Sequence, residues 1–446
     1  MLLVSLDTVR WDHTSLSGYA RDTTPSLAEL AALPGATTFT RAYAPAAWSL
    51  PSYASILTGR DALSHGVGFF QDGLDPGQAT VAEALAAYGY ATAAFTSGPH
   101  LDPTTGLCRG FATCDHLPDI SPMAAAVQGA LAWLDRHSER PFFLFVVGYD
   151  AHVPYAAPAA LAELYDPGYA GFLHRAVGRG GAEDPCLLRG ATRACLRVLP
   201  GRRHGPDGRG DLDPVDLAHV LAHYDAAVHT ADHEFGRLLF ALQERGLLEN
   251  TLVVALADHG EGLGEEGRFH HDDQVGDKVF HVPLVVRPPY LERAPKRFEG
   301  LVSLDGLTPT LLEYLRLQPP AGVDGTSFLA ALGLASATPA GEEVVVGASQ
   351  CCYQARDEAW SLEGRLDPHG PPGVLRWSLF EDGAGPDVAA EHPTEVARLR
   401  TALAAWPPHP GRRERAAGPA GAAHDQALRQ ALRRGGYWAP EPQEAR

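Results

Sequence analysis

Short apolar runs, each closed by a polar and potentially reactive side chain, recur along this chain. Met1–Leu6 ends at Asp7, Phe142–Gly148 runs out near Asp150 and His152, and Thr251–Ala257 ends at Asp258-His259. Helix-like stretches such as Ser26–Leu33, Val81–Tyr88 and Pro122–His137 lie between them. Strands alternating with helices predict an α/β fold around a largely parallel sheet. In such sheets ligands gather at the carboxyl ends of the strands, so the ends of these runs are where a site is expected.

The pattern changes twice. Residues 176–212 are rich in Gly and Arg without periodicity and read as a loop-rich insertion, after which a helical pattern resumes from Pro214 to Glu244. Past residue 335 a smaller β-containing segment follows (Glu343–Gly347, then Val374–Phe380), with a helix around Pro393–Trp406. Three units result: an α/β core over 1–335, where the site is expected, a small C-terminal β-plus-helix subdomain over 336–410, and an Ala/Arg/Pro-rich tail over 411–446. Within the tail, Asp425–Arg434 fits one short helix ended by Gly435.

Composition narrows the function. The 446 residues are 45% hydrophobic, enough for a globular core. Lys plus Arg is 36 against 54 for Asp plus Glu, a net charge of −18. An acidic chain without a basic stripe disfavours nucleic-acid binding and, more weakly, anionic membranes. Neither a signal-peptide pattern nor a membrane-length apolar run appears, so a cytoplasmic location without stable membrane insertion is expected. The six cysteines (108, 114, 186, 195, 351 and 352) lack paired metal-ligand spacing, and free thiols are expected.

The segment Ser49-Leu50-Pro51-Ser52-Tyr53 leads into Leu57-Thr58-Gly59-Arg60. Ser49 as N-cap, Pro51 in the first turn and Gly59 as C-cap fit a helix over 50–58. A hydroxyl at a helix N-terminus faces free N–H groups, a setting that suits a tetrahedral anion. The competing reading is that Ser49 is only a cap. Two carboxylates and an imidazole from separate strand ends, Asp7 and Asp258-His259, have the donor types of a divalent-metal site, although either motif alone could equally cap a helix.

Together these segments resemble the sulfatase family of the alkaline phosphatase superfamily. Its signature is Cys or Ser, any residue, Pro, Ser, Arg, then Leu-Thr-Gly-Arg, and its first residue becomes formylglycine. Asp7-Thr8-Val9-Arg10-Trp11-Asp12-His13 is similar to members that begin Asp-Thr-Leu-Arg-x-Asp-His. The resemblance implies a large mixed, mostly parallel central sheet flanked by helices, and one divalent metal held by Asp7, Ser49, Asp258 and His259. The single imidazole favours Mn²⁺ or Zn²⁺, with Ca²⁺ or Mg²⁺ as alternatives. Catalytic roles carry over to Ser49, to His152 in Asp150-Ala151-His152-Val153-Pro154-Tyr155, to His271 (with His270 as its rival) and to His100 in Ser97-Gly98-Pro99-His100-Leu101. Arg60 and His65 match positions that brace the nucleophile, whereas Asp12 and His13 read as a helix-capping pair. Asp305-Gly306-Leu307-Thr308-Pro309 and Asp324-Gly325 extend the likeness through the core.

Three positions depart from the pattern. The second Asp of the metal site is Thr8, the lysine before the conserved-type histidine is Gly98, and the arginine of the maturation motif is Tyr53. Without that arginine, an unmodified Ser49 is expected, with formylglycine at 49 the disfavoured alternative. Serine suits phosphate or phosphonate esters, because a phosphoserine can be hydrolysed at phosphorus whereas a sulfoserine is hard to discharge. The function expected is a metal-dependent hydrolase of phosphate, phosphonate or sulfate esters acting on a small-molecule, lipid or sugar ester. A phosphotransferase passing its group to an alcohol and a catalytically degenerate metal-binding protein are the alternatives.

Overall fold

The computed structural model describes residues 1–405 apart from 63, 69–72, 99–101, 118–119, 154, 156, 170–213, 266–268, 272–273, 292–296, 336–340, 350–351 and 367–374. The insertion at 176–212, the 411–446 tail with the short helix expected there, and His100 lie outside the described residues. The first strands of the chain are β1 (Leu2–Leu6), β2 (Thr37–Tyr43), β3 (Ala91–Thr96), β4 (Thr113–His116) and β5 (Phe142–Gly148). Then come β6 (Val253–Leu256), the short pair β7 (Gly262–Leu263) and β8 (Phe269–His270), β9 (His281–Arg287), β10 (Arg297–Phe298) and β11 (Val302–Ser303).

The main sheet runs β10-β2-β9-β6-β1-β5-β3-β4, with β11 also on β2. β1 pairs parallel to β5 and β6, while β9 runs antiparallel to both its neighbours. The sheet is therefore mixed and mostly parallel, as the alternating pattern predicts. β1 and β5 are buried at every position, which is why they read as continuous apolar runs. Register does the rest. Leu6 lies opposite Gly148 and Ser5 opposite Leu256, so Asp7, Tyr149 and Asp258 leave the sheet together at one edge.

The helices are α1 (Pro25–Ala32), α2 (Ser49–Thr58), α3 (Val81–Ala87), α4 (Met123–His137), α5 (Ala159–Tyr165), α6 (Pro214–Glu244), α7 (Asp277–Phe280), α8 (Leu307–Tyr314) and α9 (Pro393–Ala405). The 31-residue α6 spans the whole stretch that the periodicity predicts and packs against α1, α4 and α5. None of the described helices is long and apolar enough to cross a membrane. Helix α2 is different in kind, because all ten of its residues are buried. It ends at Gly59, whose φ of +70° supplies the left-handed C-cap.

Beside the core stands an antiparallel sheet of β12 (Val345–Ala348), β13 (Cys352–Arg356), β14 (Trp360–Leu366) and β15 (Leu375–Glu381). It has its own apolar centre of Ala355, Leu362 and Leu379, covered by Leu399 of α9. Sequence reading places only the outer two strands, since β13 and β14 break alternation with Gln354, Arg356 and Glu363. Those polar side chains are buried because they have partners: Gln354 donates to Asp277 and Ser361, and Arg356 to Tyr43 and Asp382.

Three local expectations are corrected. Cys108 and Cys114 form a disulfide, their Cα atoms 6.0 Å apart, because the loop before β4 folds back beside it. Cys352 is a buried thiol on β13. Asp12 and His13 do not cap a helix: Asp12 accepts two hydrogen bonds from Arg10, and His13 Nδ1 lies 2.7 Å from Asp225 of α6. The third correction concerns Ser49. Trp48 holds the N-cap position, Ser49 is the first helical residue, and its hydroxyl donates to Asp7.

Candidate active site

Asp7 follows the last residue of β1 with its amide tied to Gly148 O at 2.9 Å, so the backbone fixes where its carboxylate emerges. Ser49 donates from Oγ to Asp7 Oδ2 at 2.8 Å and lies 3.2 Å from His259 Nε2. His259 Nε2 is in turn 3.4 Å from Asp258 Oδ2. One ligand atom each from Asp7, Asp258 and His259 falls within 4.8 Å of the others. All four residues are buried, Ser49 being 1% exposed and the others fully enclosed.

His259 Nδ1 lies 2.8 Å from Gly260 O. A carbonyl can only accept, so Nδ1 carries the proton and Nε2 presents its lone pair to Ser49 and the carboxylates. Ser52, one turn into α2, donates to the Asp258 carbonyl at 2.7 Å and locks helix to strand end. Burial, and then the nearby Asp258, push the Asp7 carboxyl well above the usual carboxylate range. Asp7 Oδ1 and both oxygens of Asp258 have no hydrogen-bond partner among the described residues. Buried anions are normally paired or bound to metal. Three partnerless oxygens converging with an imidazole lone pair and a hydroxyl fit a divalent cation.

Around this cluster stand the histidines. His271 is 2% exposed, with Nδ1 3.1 Å from Glu261 Oε1 and its ring 4.4 Å from that of His259. His152, on the turn after β5, lies edge to face with His271 at 5.2 Å, its Nδ1 2.5 Å from Val153 O. His270, the rival to His271, sits on β8 at φ +74°, and its backbone carbonyl accepts from Gln274 Nε2. His65 braces α2 through Ser55 Oγ and Pro51 O, and Arg60 anchors its end to Ala321 O at 2.6 Å.

Two further side chains belong here and carry no motif. Glu261 is fully buried against His271; it follows directly in Asp258-His259-Gly260-Glu261. Tyr149 is 1% exposed and directly follows β5, next to Asp7 in the strand register. The signal for Tyr149 was its place at the end of an apolar run, the same rule that singles out Asp7 and Asp258.

The Sulfatase family model matches residues 1–317. The chain belongs to the sulfatase family. Among relatives of this sulfatase-family chain, "Multifunctional alkaline phosphatase superfamily protein PehA" of Trinickia caryophylli is 29% identical over 220 residues, 47% of this chain and 41% of that one. The matched stretch therefore spans less than half of that relative's length. An "Arylsulfatase" of Clostridium perfringens is 23% identical over 388 residues, covering 74% of this chain and 77% of its own. The structure of a phosphonate monoester hydrolase of Agrobacterium radiobacter superposes with a TM-score of 0.71 at 20% identity, over 91% of this chain and 94% of that one. The likeness to this structure establishes an alkaline phosphatase-like fold.

The three departures from the sulfatase pattern acquire structural form. Thr8 takes φ +60°, unusual for a β-branched residue, and closes its hydroxyl onto Asp7 O at 2.7 Å. Tyr53 is fully buried, its hydroxyl 3.1 Å from Ser5 Oγ and its ring edge against Phe145. Gly98 lies against the ring of Tyr149.

Proposed function

We propose that this chain is a metal-dependent hydrolase of phosphate or phosphonate esters with Ser49 as its nucleophile. The observation that carries the reading is the Ser49 hydroxyl, hydrogen-bonded to Asp7 at 2.8 Å within a buried Asp/Asp/His cluster instead of capping its helix. Relatives named for phosphonate monoester hydrolysis and for the alkaline phosphatase superfamily support it.

Asp7, Asp258, His259 and Ser49 would hold the cation, with Mn²⁺ or Zn²⁺ favoured by the imidazole. When bound, it withdraws charge from the oxygens it touches and acidifies the serine hydroxyl. The remaining work falls to the chain. Ser49 Oγ forms a bond to phosphorus as the ester bond breaks, and its proton leaves along the hydrogen bond to Asp7 Oδ2. His152 gives a proton from Nε2 to the departing alkoxide, then takes one from the water that attacks phosphorus and releases Ser49, whose oxygen regains its proton from Asp7. His271, oriented by Glu261, holds the anion's oxygens. Candidate substrates are small-molecule, lipid or sugar esters. His100 is proposed as a further contact to the leaving group.

Sulfate esters remain the second reading, favoured by the arylsulfatase relative and requiring formylglycine at 49. Peptide mass spectrometry across residues 42–60 separates the two. Loss of two hydrogens at Ser49 favours sulfate chemistry, whereas an unmodified serine that gains a phosphoryl group during turnover supports the proposal. Turnover of phenyl p-nitrophenylphosphonate with Mn²⁺ should vanish in Ser49→Ala, and added alcohols should not divert the product. Phosphorylated alcohol would point to a phosphotransferase; no turnover by the wild type with any of Mn²⁺, Zn²⁺, Ca²⁺ or Mg²⁺ would sink the enzyme reading.

A further inference from the structure

Helix α7 is four residues long, a turn whose last carbonyls find no partner within it. Three of them are taken up by the two segments that carry the site. Phe280 O accepts from Ala44 N at 2.7 Å, on the stretch that leads from β2 into α2 and Ser49. Val279 O accepts from Gly260 N at 2.9 Å and Lys278 O from Glu261 N at 3.1 Å, directly after His259. A Cβ at Gly260 would collide with the Lys278 carbonyl, so only glycine fits this approach. A lone turn is too short to hold itself in place. Its anchor is the small sheet. Asp277, the first residue of α7, accepts at Oδ1 from Gln354 Nε2 of β13 at 2.9 Å, and Arg356 Nε of the same strand lies 3.6 Å from Oδ2. Gln354 and Arg356 are 1% and 2% exposed, and Gln354 is itself fixed by donating to Ser361 Oγ at 2.7 Å. The neighbouring β12 meets the approach to Ser49 directly. Ala47 N donates to Ala348 O at 3.0 Å, and Ala348 N donates to Pro45 O at 3.1 Å.

We infer that Asp277 and Gln354 are positioning residues for the active site, through which the small C-terminal sheet sets His271 against Ser49. This rests on the roles proposed for Ser49 and His271. The Gln354–Asp277 hydrogen bond fixes α7, and the carbonyls of α7 fix the backbone of Gly260 and Glu261. The Glu261 carboxylate, 3.1 Å from His271 Nδ1, then orients the imidazole that holds the anion's oxygens. The two carboxylates of the metal cluster are held separately. Asp7 is tied by its amide to Gly148 O, and Asp258 follows β6 with its carbonyl bonded by Ser52. Loosening the clamp therefore costs anion binding and spares Mn²⁺ binding.

The test sets kcat and KM for phenyl p-nitrophenylphosphonate beside calorimetric binding of inorganic vanadate to the full-length protein loaded with Mn²⁺. Gln354→Glu places an acceptor against the Asp277 carboxylate. It should raise KM and the vanadate Kd together by roughly tenfold, with kcat and Mn²⁺ affinity within about twofold of wild type, the pattern of weakened anion binding alone. The double variant Asp277→Asn/Gln354→Glu restores the bond with donor and acceptor exchanged, and should return both constants to near the wild-type values. A joint that only fastens the subdomain would lower the melting temperature of Gln354→Glu and leave KM and vanadate binding unchanged. That result would overturn the inference, as would a double variant no better than Gln354→Glu. If Gln354→Glu does not fold, Gln354→Met keeps the volume without the donor, and an unchanged KM there overturns it equally. Vanadate affinity lost in Gln354→Glu, from a wild type that turns over no ester, would defeat the proposed hydrolase and leave this inference standing.

Discussion

Two buried carboxylate sites in the core are built on opposite terms. Asp225, within α6, is fully enclosed and accepts from Tyr19 at 2.8 Å and Arg21 at 2.6 Å, with His13 Nδ1 at 2.7 Å. Its charge is matched, and the network ties α6 to the segment after β1. Asp7 and Asp258 are as deeply buried, but three of their four oxygens lack partners among the described residues. A buried anion with every lone pair engaged is a structural joint. One left short of donors, and facing another anion, is costly to keep ionised and suits a cation that the chain itself does not supply. Burial alone does not distinguish structure from function here; the inventory of donors does.

The most severe test of that contrast is Asp258→Asn. It should lower turnover at least about a thousandfold and abolish stabilisation by Mn²⁺, which for the wild type amounts to about 2.7 kcal/mol at a hundredfold excess over Kd. The metal-free variant should melt no lower than the metal-free wild type, since it removes repulsion. A lower melting temperature would break the comparison. Asp225→Ala should do the reverse, costing about 3–5 kcal/mol in thermal or urea unfolding by stranding Arg21 and His13, with kcat of the folded protein almost unchanged. Tyr53→Phe removes one hydrogen bond to Ser5 and should cost about 1 kcal/mol of stability while leaving Mn²⁺ affinity intact.

Glu342 sharpens the scale at its lower end. It accepts one backbone bond, from Ser303 at 2.9 Å, and burial followed by Asp305 pushes its carboxyl up to about 8. A carboxyl raised in the folded state binds protons more tightly there than in the unfolded chain. Its ionisation therefore drains stability as pH climbs from the ordinary carboxylate range towards about 8. Glu342→Gln should be neutral at pH 5 and raise the melting temperature by about 1–2 °C at pH 9. No gain at pH 9 would show that the glutamate is as well compensated as Asp225.

Much of this was legible before any coordinates. The runs ending at Asp7, Asp150 and Asp258 mark strands because buried strands must be continuously apolar, and parallel register alone then gathers their ends. The 214–244 helix was legible for a similar reason, in that its periodicity persists for many turns. Side-chain direction was not legible. Ser49 has the identity of a cap, but the competing acceptor, Asp7, lies 42 residues earlier in the chain and appears only once β1 and α2 meet. The Cys108–Cys114 pair and the inner strands of the small sheet depend in the same way on what folds back onto them.

The burial of α2 sets an order of events. Every residue from Ser49 to Thr58 is sealed between the sheet and the rest of the core. An enzyme that must read Leu50-Pro51-Ser52 to alter position 49 can do so only while that segment is still extended, before the sheet closes over it. Whatever chemical identity residue 49 has when the core forms, serine or aldehyde, is the one the mature protein keeps.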